Sequence, residues 1–211
     1  APAGAPGNID RVADYIEKLH QHPGIYAWYS SDEPYSNAIN DIDSVYPNMI
    51  AGYKMIRGID PVHPVYYTED RDAFYKFSRY YADIISIDPY PASSNTYETM
   101  VGDRAVLMEE ALGDTRPINA ILQAFTYHAS RPTDVQMRNM IYQSYLGGAR
   151  TLGYWAIQQS RDPIDLFDSE DLWPIIVSFN DNEYDIFVEQ YADGLGEFVA
   201  KSREGNAWYD L

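Results

Sequence analysis

The sequence contains no cysteine, so disulfide bridges and thiolate metal sites are excluded from the outset. It also lacks any apolar run near the roughly 20 residues that a membrane-spanning helix needs, and no membrane partner is expected. Basic residues are scarce: 15 Lys and Arg stand against 32 Asp and Glu, a formal charge of −17. A surface of that sign repels phosphate backbones, so nucleic acid is not an expected partner either. No glycine-rich phosphate loop follows any strand-like segment, which removes the main signature of the doubly wound nucleotide-binding folds. The opening residues, APAGAPGN, carry neither the basic nor the apolar region of an export signal. A cysteine-free chain fits an extracellular or periplasmic bacterial protein, the localisation expected here, but also many cytosolic ones.

What is present belongs to a globular protein. Of 211 residues, 45% are hydrophobic and 22% charged, too apolar for disorder, and one domain over 1–211 is the natural expectation. Residues 197–211 read as a linker or the start of a following element. The 20 Tyr, 4 Trp and 7 Phe suit a sugar-binding surface, because the C–H face of a pyranose packs on an aromatic ring. Tyrosine in such numbers also serves as ordinary filler.

Short apolar, β-branched and aromatic runs at Gly24–Tyr29, Pro64–Thr68, Asp83–Asp88, Ile118–Phe125 and Thr151–Ile157 predict five strands. Between them, helical spacing is expected over Ile9–His20, Val45–Arg57, Arg71–Tyr81, Tyr97–Leu112, Thr133–Leu146 and, with a break, Leu172–Ser202. Thr133-Asp134-Val135-Gln136 has the form of a capping box, and Gly147-Gly148 marks the end of that helix. Strands such as IISI and INAIL are apolar throughout, as parallel strands covered on both faces are. The expected fold class is therefore α/β, five parallel strands alternating with helices: part of a (β/α)8 barrel. Each strand ends in polar residues, where such barrels keep their chemistry. A full barrel takes about 250 residues, so roughly three units are missing from the count, to be completed by a homodimer or a companion chain.

At HPGIYAWYSSDEP the chain resembles the fourth strand of the TIM-barrel glycoside hydrolases, a clan A-like superfamily in which a Glu followed by Pro is the general acid/base. Asp60–Val65, DIISIDPYP, INAILQAF and GGARTLGYWAIQ are similar to the entries into, or the bodies of, the fifth to eighth strands. The resemblance implies the C-terminal portion of the barrel, strands four to eight, with Glu33 as the acid. The chain departs from the pattern in two places. Asp32 stands where the better-known families place Asn, and Gln123 lies where they place a nucleophilic Glu.

Glycoside hydrolysis needs one carboxylic acid for the leaving oxygen and a second carboxylate to attack or to activate water. Glu33 takes the first role, with Asp32 beside it to raise its proton affinity; Glu69 and Asp88, also at strand ends, are the candidates for the second. Asp32-Glu33-Pro34 equally reads as a helix start, and Glu69 and Asp88 equally as turn residues or caps. Tyr29, Tyr90 and Trp155 are candidate sugar platforms, Trp28 and Tyr154 facing the other way; Asp32, Gln123 and Gln158 are candidate hydrogen-bonding groups. His20 and His22 lie at the wrong end of the strand for chemistry, and Asp162, Asp165, Asp168 and Asp171 read as a solvated acidic loop without the pattern of a calcium loop. No cofactor or metal is expected, and the expected partner is a carbohydrate. The rival expectation is a non-catalytic carbohydrate-binding barrel whose nucleophile has been lost at Gln123.

Overall fold

The computed structural model describes residues 6–37, 42–91, 99–113, 115–126, 131–156, 166 and 169–180. Its elements are α1 (Pro6–Leu19), β1 (Trp28–Asp32), α2 (Pro34–Asn37), α3 (Ile42–Ile59), β2 (Val65–Thr68), α4 (Tyr75–Ser78), β3 (Ile84–Ile87), α5 (Met100–Leu112), β4 (Ile118–Gln123), α6 (Asp134–Leu146), β5 (Ala149–Trp155) and α7 (Leu172–Ser178). The five strands are parallel, lie in chain order and form an open sheet, consistent with a partial (β/α)8 barrel. The α/β class expected from the apolar runs is the one observed. Contacts divide the chain into two compact units, residues 1–87 with 110–118, and residues 88–109 with 119–211.

In the first unit, Ile16 of α1, Ile56 of α3 and Val65 of β2 form a buried cluster that Trp28 and Tyr53 extend. Trp28 therefore faces the helices, as strand alternation from Tyr29 predicts. The Asp60–Val65 turn is held by one buried carboxylate. Asp60 accepts from the Val62 and His63 amides (2.9 and 3.1 Å), the His63 ring (2.7 Å) and the Trp28 indole (2.8 Å). Burial would raise its pKa, but the Trp28 and His63 hydrogen bonds, with those from the backbone, hold it well below the usual carboxylate range. The motif that looked like a family signature is thus a structural clamp on the entry to β1 and β2.

Asp60→Asn keeps the turn but sets a second donor against the Trp28 and His63 donors. We expect a loss of about 2 kcal/mol at pH 7, the worth of a hydrogen bond to a charged group. Because the folded carboxyl is depressed, its contribution is present above the ordinary carboxylate pKa and fades as pH falls. The gap between wild type and variant in urea denaturation should therefore narrow below pH 4. An equal gap at pH 3 and pH 7 would refute the clamp.

The helix expected over Arg71–Tyr81 is not continuous. It is a 3-10 turn at Asp72–Phe74 followed by the single turn α4. Aromatic packing fixes this segment instead: Phe74 stacks on Tyr35 at 3.8 Å, and Phe77, Tyr80 and Tyr81 all meet Tyr46 edge-on. Strand limits also move. β1 begins four residues later than Gly24 and runs to Asp32, while the third and fourth strands end earlier than expected.

In the second unit, the Thr133 capping box is present with both of its hydrogen bonds. Thr133→Ala should lower the melting temperature by an amount corresponding to about 1 kcal/mol, with no effect on any activity. After α6 the two glycines do different things. Gly148 takes the positive φ, +105°, whereas Gly147 is needed for close approach, since a Cβ there would lie 2.5 Å from that of Ala105. Asp171 caps α7 by accepting from the Leu172 amide at 2.9 Å; the other three acids of that series lie outside the described residues, as do 197–211.

Candidate active site

β1 does not run straight to its end. Trp28 and Tyr29 pair with Val65 and Tyr66, but Asp32 pairs with Thr68, so β1 carries one more residue than β2 across this stretch. Such a bulge resets the side-chain alternation. Tyr29 and Asp32, three apart and expected on opposite faces, therefore meet: the Tyr29 hydroxyl donates to Asp32 Oδ1 at 2.5 Å and lies 3.0 Å from the Thr68 hydroxyl. The Tyr29 ring stacks on Tyr66 with centroids 4.7 Å apart and stays half exposed.

Glu33 follows at φ +40°, the one non-glycine residue in the left-handed region among those described. That conformation costs a residue with a Cβ roughly 1–2 kcal/mol and persists where neighbours enforce it. Here they do. The Glu33 amide donates to Thr68 O (3.1 Å), its carbonyl accepts from the Asn37 amide (2.9 Å), and the Asn37 side chain donates to Asp32 O (2.8 Å). The helix-start reading of Asp32-Glu33-Pro34 is correct as local structure, since Pro34 opens the single turn α2. The strained, partly exposed Glu33 is what that reading leaves unexplained.

Glu69 comes from the end of β2 and is fully buried. Burial raises its carboxyl to about 8, against the Arg71 amide that donates to Oε1 at 3.1 Å; the charges of Asp70 and Glu33 raise it further. Its Oε2 meets no donor among the described residues, and a neighbouring Asp70 carboxylate can only accept, which favours the protonated form. Tyr35 and Tyr67 share its surroundings: burial is the main cause that raises both hydroxyls, and the Glu69 charge adds to it, against a lowering hydrogen bond with Tyr81 in each. At neutral pH Glu69 holds its proton. The structure thus brings Tyr29, Asp32, Glu33 and Glu69 to the tips of two adjacent strands.

Asp70 was legible beside Glu69 at the end of the second strand run, but two residues of the same tips, Ser36 and Arg71, were not singled out from the sequence. Ser36 lies 2.6 and 2.7 Å from the two Asp70 carboxylate oxygens and accepts from Arg71 Nε at 2.9 Å. The Glu-Asp-Arg run after β2 was visible in the sequence, but its link to Ser36 needs the turn of α2.

Asp88, Tyr90, Gln123 and Trp155 belong to the second unit. Asp88 is buried directly after β3. Tyr90 meets Phe125 edge-on at 5.2 Å, and Gln123, fully buried, donates from Nε2 to Phe125 O at 3.0 Å. Trp155 is half exposed at the end of β5. Gln158 lies outside the described residues. His20 caps α1 through its Nδ1, 2.9 Å from Glu17 O, and His22 accepts from the Gly24 amide at 3.0 Å. No helix among the described residues is long and apolar enough to cross a membrane, and no cluster of potential metal ligands occurs among them.

No protein-family model matches the sequence, and no curated protein matches it. Solved structures do resemble the fold. A β-galactosidase from the Antarctic haloarchaeon Halorubrum lacusprofundi superposes with a TM-score of 0.59 at 14% identity, over 77% of this chain and 37% of that one. A GH2 β-galacturonidase from Eisenbergiella tayi gives 0.53 at 13% identity, over 81% and 36%. A β-glucuronidase from an uncultured Clostridium gives 0.53 at 15% identity, over 78% and 32%. The likeness is one of fold, and the chain spans about a third of the length of these proteins.

Proposed function

We propose that the chain is part of the catalytic domain of a glycoside hydrolase, corresponding to strands four to eight of a clan A-like (β/α)8 barrel, that cleaves O-glycosidic bonds of an oligo- or polysaccharide. The observation that carries this reading is the pair of carboxyl groups at adjacent strand tips, Glu33 on a left-handed backbone and partly exposed, Glu69 fully buried. Glu33 is the group that touches the saccharide and exchanges a proton with the leaving oxygen. Glu69, enclosed, is a positioning residue whose raised proton affinity keeps a second negative charge away from Glu33. Tyr29 offers the sugar a ring and Asp32 a carboxylate for hydroxyls. A second catalytic carboxylate is supplied by the companion segment or second copy that completes the barrel, acting on an extracellular or periplasmic glycan.

The second reading is a carbohydrate-binding barrel without turnover. It draws on Gln123, whose amide is committed to the Phe125 carbonyl where the resemblance leads one to expect a nucleophilic carboxylate. A panel of aryl glycosides, neutral and acidic, tests both. Hydrolysis of at least one, with the anomer of the product read by NMR, supports the hydrolase. Saturation-transfer binding of the sugars without turnover favours the second reading, and neither turnover nor binding ends both.

A further inference from the structure

Arg71 is the one base in the tip segments Ser31–Asn37 and Glu69–Asp72. Its Nε is anchored on Ser36, whose hydroxyl is in turn anchored on Asp70. An arginine among five acids would ordinarily neutralise one of them. Here the Ser36 hydroxyl lies between Asp70 and the guanidinium, and among the described residues Arg71 forms no ion pair and its terminal nitrogens make no hydrogen bond. The brace fixes the plane of a half-buried guanidinium and leaves two N–H groups in the fork geometry that matches a planar anion. Side-chain ordering, a main cost of binding, is already met by the Ser36 contact.

We infer that Arg71 is a specificity-determining residue that receives an anionic substituent of the sugar, a carboxylate or a sulfate ester, beside Glu33. The inference rests on the glycoside hydrolase reading for its catalytic consequence, but it makes a claim about binding that stands separately. The surrounding acids do not contradict it. The raised proton affinity of buried Glu69 takes one negative charge away at neutral pH, so the local field is milder than the sequence suggests.

The test compares aryl β-galactoside, β-galacturonide and 6-sulfo-β-galactoside on wild type, Arg71→Gln and Arg71→Lys. In a second arm, chemical-shift titrations use free galactose, galacturonate and galactose 6-sulfate. The expected result is a wild-type preference for one anionic sugar of at least 10-fold in kcat/KM. Arg71→Gln should lose 10- to 100-fold on that sugar and clearly less on the neutral galactoside, and Arg71→Lys should fall in between because it keeps the charge without the fork. Which anion is preferred separates carboxylate from sulfate. No preference in the wild type, or equal losses on neutral and anionic substrates, overturns the inference while leaving the hydrolase reading intact. If none of the three is hydrolysed, the hydrolase reading is left to the wider panel and the titrations decide here: an anionic sugar that binds wild type and not Arg71→Gln supports the site, and equal or absent binding overturns it.

Discussion

Replacing Glu33 by glutamine should lower kcat/KM on a glycoside with a poor leaving group by about 10²- to 10⁴-fold, the usual worth of a positioned general acid. That is a barrier increase of about 3–5 kcal/mol. The geometry adds a discriminating condition. A dinitrophenyl leaving group departs without needing a proton, so on a dinitrophenyl glycoside the same variant should lose much less. Glutamine preserves the volume and the strained backbone, with its hydrogen bonds to Thr68 and Asn37, so the fold should be unaffected. Because the Glu33 charge contributes to the raised Glu69 pKa, Glu33→Gln should also move the Glu69 titration, followed by carboxyl carbon shifts, downward from about 8. Equal losses on both leaving groups would remove Glu33 from the acid role. An unmoved Glu69 would show that the two carboxyls do not sense one another.

Glu69→Gln should make the protein more stable while making it a worse catalyst. At pH 7 the folded state holds a proton on Glu69, at about 8, that the unfolded chain, with its ordinary value of 4.5, has released. Each pH unit between the unfolded value and the working pH costs about 1.4 kcal/mol, so the penalty at pH 7 is about 3 kcal/mol. The sign follows from the raised value. The stabilising contribution of the protonated carboxyl is complete below about pH 4.5, falls as pH rises, and is exhausted once pH passes the folded value near 8. Glutamine resembles the protonated acid, keeps an oxygen for the Arg71 amide and never ionises. The variant should therefore exceed wild type by about 3 kcal/mol at pH 7 in denaturant unfolding, and match it at pH 4. A functional site that holds back stability in this way is a familiar compromise. A variant no more stable at pH 7, or equally favoured at both pH values, would show that Glu69 is not a buried protonated acid.

Much of this architecture could be read directly from residue order. Continuous apolar runs of four to six residues bounded by polar or turn residues gave the strands, because a parallel strand covered on both faces admits few other compositions. The capping box at Thr133 and the glycines after Leu146 are local interactions, complete within a few residues, and they formed where expected. Arg71–Tyr81 failed as a helix because the competing forces are not local: its aromatic rings pack on Tyr35 and Tyr46, far away in the chain.

The site divides in the same way. The residues alone determined that Glu33 and Glu69 sit at strand ends, since each follows an apolar run. Tertiary structure decided what each can do. The extra residue in β1 turns Asp32 toward Tyr29 and sets Glu33 on a left-handed backbone, and a bulge depends on pairing with β2 that no single segment encodes. Enclosure of Glu69 by neighbours from other elements, with Asp70 and Glu33 alongside, sets its proton affinity, because desolvation and like charge are properties of surroundings rather than of a side chain.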